Sequence, residues 1–181
     1  MNHESGKPVY KRWVKIAVPI VVFLVIGGIF LFKNMGTNRT PPADAVAKYP
    51  LKITSVKLDE VKSYGIPTVI DFGSDSCIPC KEMAPVLETL NAEWQGAAAV
   101  QFIDVWKYSD GVSDFPVQVI PTQVFFTAEG KPFVPSDALA TEIEFTLYSQ
   151  KATGKHVFTV HQGGITEMQM RKIFAEMGVG E

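Results

Sequence analysis

The sequence predicts an α/β fold, and three observations lead to that prediction. Short apolar runs rich in β-branched residues, such as Thr68 to Phe72 and Gln123 to Phe126, have the length and composition of buried strands. Two longer segments, Pro79 to Trp94 and Thr166 to Met177, carry apolar residues three and four positions apart, the spacing of amphipathic helices. The strand that ends at Phe72 and the helix after it are joined by a segment that holds both cysteines of the chain, Cys77-Ile78-Pro79-Cys80.

The composition indicates one globular domain with an appendage. Of the 181 residues, 46% are hydrophobic and 20% are charged, which suits a single packed domain. The net charge of −2 and the lack of a basic patch interleaved with aromatic residues argue against a nucleic-acid-binding protein. We therefore expect no nucleic acid among the partners.

The N-terminal appendage has the pattern of a membrane-spanning segment. Residues 16–32 contain no charged side chain and are bounded by Lys15 and Lys33, so a helix over them is near the lower length limit for crossing a bilayer. Basic residues are more frequent before this run than after it, which favours a cytoplasmic N-terminus. We predict a cytoplasmic segment at 1–15, a transmembrane signal anchor at 16–32, a linker at 33–45 and the folded domain at 46–181.

A cleaved signal peptide is the alternative for the same segment. The apolar run is longer than a usual signal-peptide core, and no small-x-small cleavage pattern follows Phe32 cleanly. Residues 1–33 hold five of the 17 basic and one of the 19 acidic residues, which leaves the rest with a net charge of −6, an ordinary soluble surface. An uncleaved anchor predicts a single-pass protein of the cell membrane, with its domain on the extracytoplasmic (periplasmic or outer) side.

The first half of the domain is expected to contain two strands around a short helix. A strand around Leu51 to Thr54 precedes a helix over Lys57 to Tyr64, which Gly65 ends. The strand Thr68 to Phe72 follows. It contains Asp71, and a carboxylate in an apolar strand is costly unless it is paired or used. The alternative is an aspartate at a strand end, exposed to water.

The cysteine pair lies where a helix is expected to begin. Cys77 would stand at the mouth of the helix and Cys80 in its first turn, so unpaired backbone N–H groups and the helix dipole favour a thiolate at Cys77. A thiolate attacks disulfides, and a second cysteine one turn away can resolve the mixed disulfide. A structural disulfide would close too short a loop to gain much entropy, and a metal site would lack further ligands. Both are alternatives to a redox-active dithiol.

The segment after the first long helix predicts two more strands. Ala99 to Val105 is apolar and β-rich and should be a central strand. Asp104 to Pro116 is polar and irregular, apart from a short helix or turn at Val112 to Phe115. The strand Gln123 to Phe126 then follows Ile120-Pro121-Thr122.

The C-terminal part predicts a β-hairpin and a last helix. Ile143 to Tyr148 and Val157 to Val160 alternate apolar and polar residues, and Pro135 to Thr141 should loop over one sheet edge. The hairpin either covers an exposed edge of the sheet or offers a docking surface to a partner. Thr166 and Gln169 have the spacing of a capping box, which starts the last helix.

Four short motifs follow one another along the chain: Asp71-Phe72, Cys77-Ile78-Pro79-Cys80-Lys81, Ala84-Pro85 and Ile120-Pro121-Thr122. In this order they resemble a thioredoxin-family domain that covers roughly residues 51–178, with one insertion. The chain differs from thioredoxin in having Ser76 where a tryptophan is common and Ile78 where a glycine is usual. The resemblance implies a thioredoxin fold, a central mixed β-sheet flanked by helices, here with a β-hairpin insertion and a preceding transmembrane helix.

The resemblance also implies roles for individual residues. Cys77 would be the nucleophile and Cys80 the resolving thiol, with Asp71 buried behind Cys80, its pKa raised, taking the proton of that thiol. The expected substrate-binding residues are Ile120, cis-Pro121, Ile78 and Pro79. The backbone of Ile120 would offer hydrogen bonds to an extended substrate strand.

The implied activity is that of a thiol–disulfide oxidoreductase, a protein-disulfide reductase without a metal or a cofactor other than the Cys77–Cys80 disulfide. Its partners would be protein disulfides, the membrane through the N-terminal helix, and an integral-membrane thiol electron donor. Reduction is favoured because no histidine lies between the cysteines to stabilise the reduced form. A disulfide oxidase or isomerase, and a redox-inert envelope adaptor, are the alternatives.

Overall fold

The structure is a computed structural model that describes residues 48–180, which belong to the compact unit Val46–Glu181. The predicted cytoplasmic segment, transmembrane anchor and linker lie outside the described residues. Across residues 48–180, the helices are all too short or too polar to cross a bilayer.

The described residues form six strands and four α-helices. In chain order they are β1 (Lys52–Ile53), α1 (Leu58–Lys62), β2 (Thr68–Gly73), α2 (Ile78–Glu93), β3 (Ala99–Asp104), β4 (Thr122–Phe126), α3 (Asp137–Glu142), β5 (Thr146–Ser149), β6 (His156–Gln162) and α4 (Glu167–Glu176). A 3₁₀ helix, Ser109–Val112, lies between β3 and β4.

The strands form one mixed sheet in the order β1-β3-β2-β4-β6-β5. β3 pairs in parallel with β1 and β2, and the remaining neighbours pair antiparallel. β2 lies between β3 and β4, and all six of its residues are buried. The mixed sheet with flanking helices confirms the predicted fold. The segment that holds the two cysteines follows β2 and therefore starts at the centre of the sheet.

Two hydrophobic clusters lie on opposite faces of the sheet, because successive strand residues point to opposite sides. Val69 of β2 faces a cluster that contains Leu87 of α2 and Phe174 of α4. Ile70 faces the other cluster, which contains Val61 of α1. Helix α2 is thus fixed against the central strands, and this fixes the turn that joins β2 to α2.

One local prediction is wrong. Residues 137–142 form helix α3 instead of part of a loop; Ser136 caps it by accepting a hydrogen bond from the Leu139 backbone N–H at 3.2 Å, and Leu139 is buried. The short helix or turn predicted at Val112 to Phe115 is a turn, in which the Phe115 backbone N–H donates to the Val112 carbonyl at 3.0 Å, and it follows the 3₁₀ helix Ser109–Val112.

The predicted hairpin is present, with altered bounds. β5 pairs antiparallel with β6 and forms one edge of the sheet. β5 begins at Thr146 and not at Ile143, because Ile143 ends helix α3 and is buried in the core. The capping box of α4, formed by Thr166 and Gln169, is present as predicted.

Candidate active site

Cys77 occupies the N-cap position of α2, and Cys80 lies in the first turn of that helix. The Cys77 Sγ accepts a hydrogen bond from the Cys80 backbone N–H at 3.4 Å. The two residues form a disulfide with a Cα–Cα distance of 5.3 Å, and both are buried. The sulfur of Cys77 therefore faces the N-terminal donors of the helix, where a thiolate is stabilised.

The turn before Cys77 is held by Asp104, the last residue of β3. Its carboxylate accepts hydrogen bonds from the backbone N–H groups of Asp75, Trp106 and Lys107 at 3.0–3.1 Å. The Ser74 hydroxyl donates to the same carboxylate at 3.4 Å. Burial raises the pKa of Asp104, but these donors and the ammonium of Lys107 together lower the pKa below its usual value. Asp104 was not identified as a site residue from the sequence, although it lies near the end of a predicted apolar strand.

Asp71 is fully buried in β2, and its two carboxylate oxygens differ in their surroundings. Oδ1 accepts a hydrogen bond from Nε2 of Gln123 at 2.7 Å. Oδ2 is buried without a hydrogen-bond partner in the described part of the chain. Burial raises the pKa of Asp71 to about 7, against the smaller lowering effect of the Gln123 hydrogen bond. The carboxyl can therefore gain or lose a proton near neutral pH.

Gly73 leaves a space between Asp71 and Cys80. A Cβ atom at Gly73 would lie 3.3 Å from Oδ2 of Asp71 and 3.3 Å from Sγ of Cys80, so the two atoms lie within twice that distance of each other. The same Cβ would lie 2.8 Å from a ring carbon of Phe102. The predicted position of Asp71 behind Cys80 thus agrees with the geometry.

The cis peptide bond Ile120–Pro121 is present where the sequence analysis expected it. Thr122 pairs with Phe72, so the register places Pro121 at the end of the sheet from which β2 runs into the cysteine turn. The Pro121 carbonyl accepts a hydrogen bond from the Gly163 N–H at 2.8 Å. Pro121 itself is buried.

Several apolar side chains are exposed at this end of the sheet. Ile78, which lies between the cysteines, has 71% of its surface exposed, and Pro79 is exposed as well. Trp106 follows the end of β3 and Val119 precedes the start of β4, and both are more than half exposed. Trp106 and Val119 could not be assigned to the site from the sequence, because their proximity to this end follows only from the topology.

In the range 48–180, no group of three or more His, Cys, Asp or Glu side chains is placed to hold an ion. The site brings together two cysteines, one buried carboxyl group and the backbone around Pro121.

Comparisons with known proteins agree with this geometry. The family model described as Thioredoxin matches residues 51–145. Curated thioredoxins of Staphylococcus saprophyticus subsp. saprophyticus and Staphylococcus aureus are 34% and 32% identical over 100 residues, which cover 52% of this chain and 94% of each relative.

Solved structures of thioredoxins also match. A mutant thioredoxin from Halobacterium salinarum NRC-1 is 26% identical, with a TM-score of 0.49, over 72% of this chain and 92% of that chain. Chloroplastic thioredoxin z is 24% identical, with a TM-score of 0.47, over 73% of this chain and 96% of that chain. The family model and the curated relatives establish that this chain belongs to the thioredoxin family.

Proposed function

We propose that the chain is a thiol–disulfide oxidoreductase that reduces protein disulfides through Cys77 and Cys80. The observation that carries this proposal is the placement of Cys77 at the helix N-cap, bonded to Cys80, with the carboxyl of Asp71 behind Cys80. Membership of the thioredoxin family supports the same activity.

The reaction begins from the reduced dithiol. The Cys77 thiolate attacks one sulfur of a substrate disulfide, forms a mixed disulfide and displaces the other substrate sulfur as a thiolate, which takes a proton from water. Cys80 then gives its proton to Asp71, and the resulting thiolate attacks Sγ of Cys77. The Cys77–Cys80 disulfide forms, the second substrate sulfur leaves as a thiolate and is protonated, and two electrons have passed to the substrate.

The substrate segment would bind beside Ile120 and Pro121. Neither the backbone N–H nor the backbone C=O of Ile120 is bonded to another backbone group within residues 48–180. An extended peptide can therefore pair with Ile120, as a strand added to a sheet edge does. The exposed side chain of Ile78 and the ring of Pro79 provide apolar contacts next to Cys77.

Trapping of the mixed disulfide tests the order of attack. In the full chain, Cys80→Ser should accumulate substrate proteins bound covalently to Cys77, because the nucleophile is present and the resolving thiol is gone. Cys77→Ser is the matched control and should trap almost nothing. Equal trapping by both variants, or trapping by neither together with no reduction of a model disulfide by the wild-type chain, would contradict the proposal.

The direction of the reaction is proposed to be reduction. No histidine lies between Cys77 and Cys80, so thiolate stabilisation depends on the helix N-terminus. The reduction potential of the full chain should then lie nearer to about −270 mV, as for thioredoxin, than to about −120 mV, as for a strong oxidant. Equilibration against glutathione and thioredoxin couples measures it. A potential above about −160 mV would favour a disulfide oxidase.

The site of action is proposed to be the extracytoplasmic side of the membrane, with residues 16–32 as an uncleaved anchor. The support is the uncharged run bounded by Lys15 and Lys33. Anchoring would raise the effective concentration of the domain near an integral-membrane thiol electron donor. In intact cells treated with a permeable reductant, an impermeant maleimide should label Cys77. Labelling only after lysis would contradict this location.

A further inference from the structure

Three polar side chains form a row across the centre of the sheet. Asp71 of β2 is in register with Gln123 of β4, and Gln123 is in register with His161 of β6. Asp71 and Gln123 are fully buried, and His161 is half-buried. Each has one buried atom without a partner among the described residues: Oδ2, Oε1 and Nε2, respectively. A buried polar atom without a hydrogen bond lowers the stability of the folded state, so these three side chains call for a functional explanation.

The orientation of the Gln123 amide is fixed by its partners. Nε2 donates one hydrogen to Oδ1 of Asp71 at 2.7 Å and the other to the carbonyl oxygen of Gly163 at 3.3 Å. The carbonyl of Gly163 and the ionised carboxylate of Asp71 can only accept, so the reverse orientation would turn Oε1 towards two accepting oxygens. The Gly163 N–H in turn donates to the carbonyl of Pro121, which ties this loop to the cis-proline.

This orientation makes the two oxygens of Asp71 unequal. Oδ1 is occupied by the Gln123 donor, so a proton bound to the carboxyl belongs on Oδ2, which has no donor among the described residues. Oδ2 borders the space at Gly73 that is also bordered by Sγ of Cys80. The oxygen that is free to accept a proton is therefore the one that faces the resolving cysteine.

We infer that Gln123 is a positioning residue for proton transfer, which holds Oδ1 of Asp71 and so leaves Oδ2 as the acceptor of the Cys80 proton. The inference rests on the proposed function and names a residue that acts in it. The proton leaves Sγ of Cys80 and binds Oδ2 of Asp71, and Gln123 itself gains and loses none.

Among the described residues, Gln123 is the side chain that donates a hydrogen bond to Asp71, and the other groups near Asp71 do not. Helix α2 contributes the sulfur of Cys80 and β3 the ring of Phe102, while the thioether of Met83 contacts Nε2 of Gln123 at 3.6 Å. His161 lies beyond Gln123, and its Nδ1 contacts the Glu144 carbonyl at 2.8 Å. The charged residues that line the outer cleft beside Cys80 are Lys52, Asp75, Lys81 and Glu88. Of all these groups, Cys80 is the titratable one that shares the space at Oδ2.

The test replaces Gln123 by a side chain of similar length that cannot donate, Gln123→Met, in the reduced full chain. Carbon-13 NMR of the Asp71 carboxyl measures its titration directly. Loss of a hydrogen bond to a charged group should move the titration midpoint upward by about one pH unit or more. The pH midpoint of the rate at which the chain reduces a model disulfide should move in the same direction. Gln123→Leu is a second variant with the same expected result, should the methionine disturb folding.

A matched control is available in the neighbouring strand. Gln101 of β3 is also buried but pairs with Ile70, so it lies on the opposite face, where Oε1 accepts from the Tyr64 hydroxyl. Gln101→Met should leave the Asp71 midpoint unchanged. In an Asp71→Asn background, Gln123→Met should cause no further change in the pH profile, which separates Asp71 from His161 as the titrating group.

Two outcomes would overturn the inference. One is an unchanged Asp71 midpoint in folded Gln123→Met or Gln123→Leu, and the other is an equal shift in Gln101→Met. A chain that reduces no disulfide would contradict the proposed function, and the NMR titration would still decide whether Gln123 controls Asp71.

Discussion

Asp71 and Asp104 are both buried near the ends of neighbouring parallel strands, yet their pKa values move in opposite directions. Burial raises the pKa of Asp71 to about 7, because Gln123 alone opposes the loss of hydration. Burial also acts at Asp104, but donors from Asp75, Trp106 and Lys107 outweigh it and lower the pKa. Asp71 is also more deeply buried than Asp104, so greater burial and fewer donors both keep its pKa above that of Asp104.

The difference separates a structural carboxylate from a proton acceptor. Asp104 is satisfied and stays ionised, which suits an anchor for the turn that carries Cys77. Asp71 keeps one oxygen without a donor among the described residues and titrates near neutral pH, which suits exchange of a proton with Cys80. The same substitution, aspartate to asparagine, should therefore have opposite effects at the two positions.

Asp71→Asn should show the largest effect, on the pH dependence of stability. The folded pKa of about 7 exceeds the ordinary value of 3.8, so the wild-type chain loses stability as the pH rises between these values. This interval corresponds to about 4 kcal/mol. Denaturant unfolding of the oxidised chain should show the variant gaining about 4 kcal/mol relative to wild type from below pH 4 to above pH 7. Parallel pH curves would indicate an ordinary, hydrated carboxylate.

Asp104→Asn should destabilise the chain by about 3 kcal/mol at pH 7. The NH2 group of asparagine replaces one of the two accepting oxygens, so either the backbone N–H of Asp75 or those of Trp106 and Lys107 would face a donor, and the negative charge that pairs with Lys107 is lost. Denaturant unfolding measures the loss. A stability equal to that of wild type would show that water replaces the carboxylate and that Asp104 is not an anchor.

Asp71→Asn should also slow reduction of a model disulfide by an amount on the order of 100-fold at pH 8, because the general base is lost. The rise in rate through about pH 7 should disappear with it. Asp104→Asn is the control. It should alter the rate only by disturbing the turn before Cys77, and the rate should still rise through about pH 7. Persistence of the midpoint in Asp71→Asn would assign the titration to another group.

Gly73→Ala should have the smallest effect, a destabilisation of about 1–2 kcal/mol. The added Cβ would press on the ring of Phe102 and fill the space between Asp71 and Cys80. Reduction should slow while the Asp71 carboxyl still titrates. An unchanged rate in the folded variant would show that this space is not on the path of the proton.

The sequence predicted the cysteine pair and Asp71 because both are local signals. A CxxC between a strand and a helix, and a carboxylate inside an apolar strand, are visible within a dozen residues. The sheet, the cis-proline and the hairpin were predicted too, whereas Ser136, the N-cap of a short helix, was taken for part of a loop.

Asp104 and Gln123 were missed because their roles depend on pairing between strands. Gln123 meets Asp71 across 52 residues, and the contact exists only in the observed register of β2 and β4. Asp104 stands at a strand end, where a polar residue attracts no notice, and its donors come from the turn after β2 as well as from the residues that follow it. A one-residue shift in register would send either side chain to the other face.

The most direct test of this account is the titration of Asp71 and Asp104 in one set of carbon-13 spectra of the full wild-type chain. We expect the Asp71 carboxyl to titrate near pH 7 and the Asp104 carboxyl to titrate below its ordinary range. Titration of both carboxyls in the ordinary acidic range would contradict it, because Asp71 would then be fully ionised at neutral pH and no better suited than Asp104 to take the proton of Cys80.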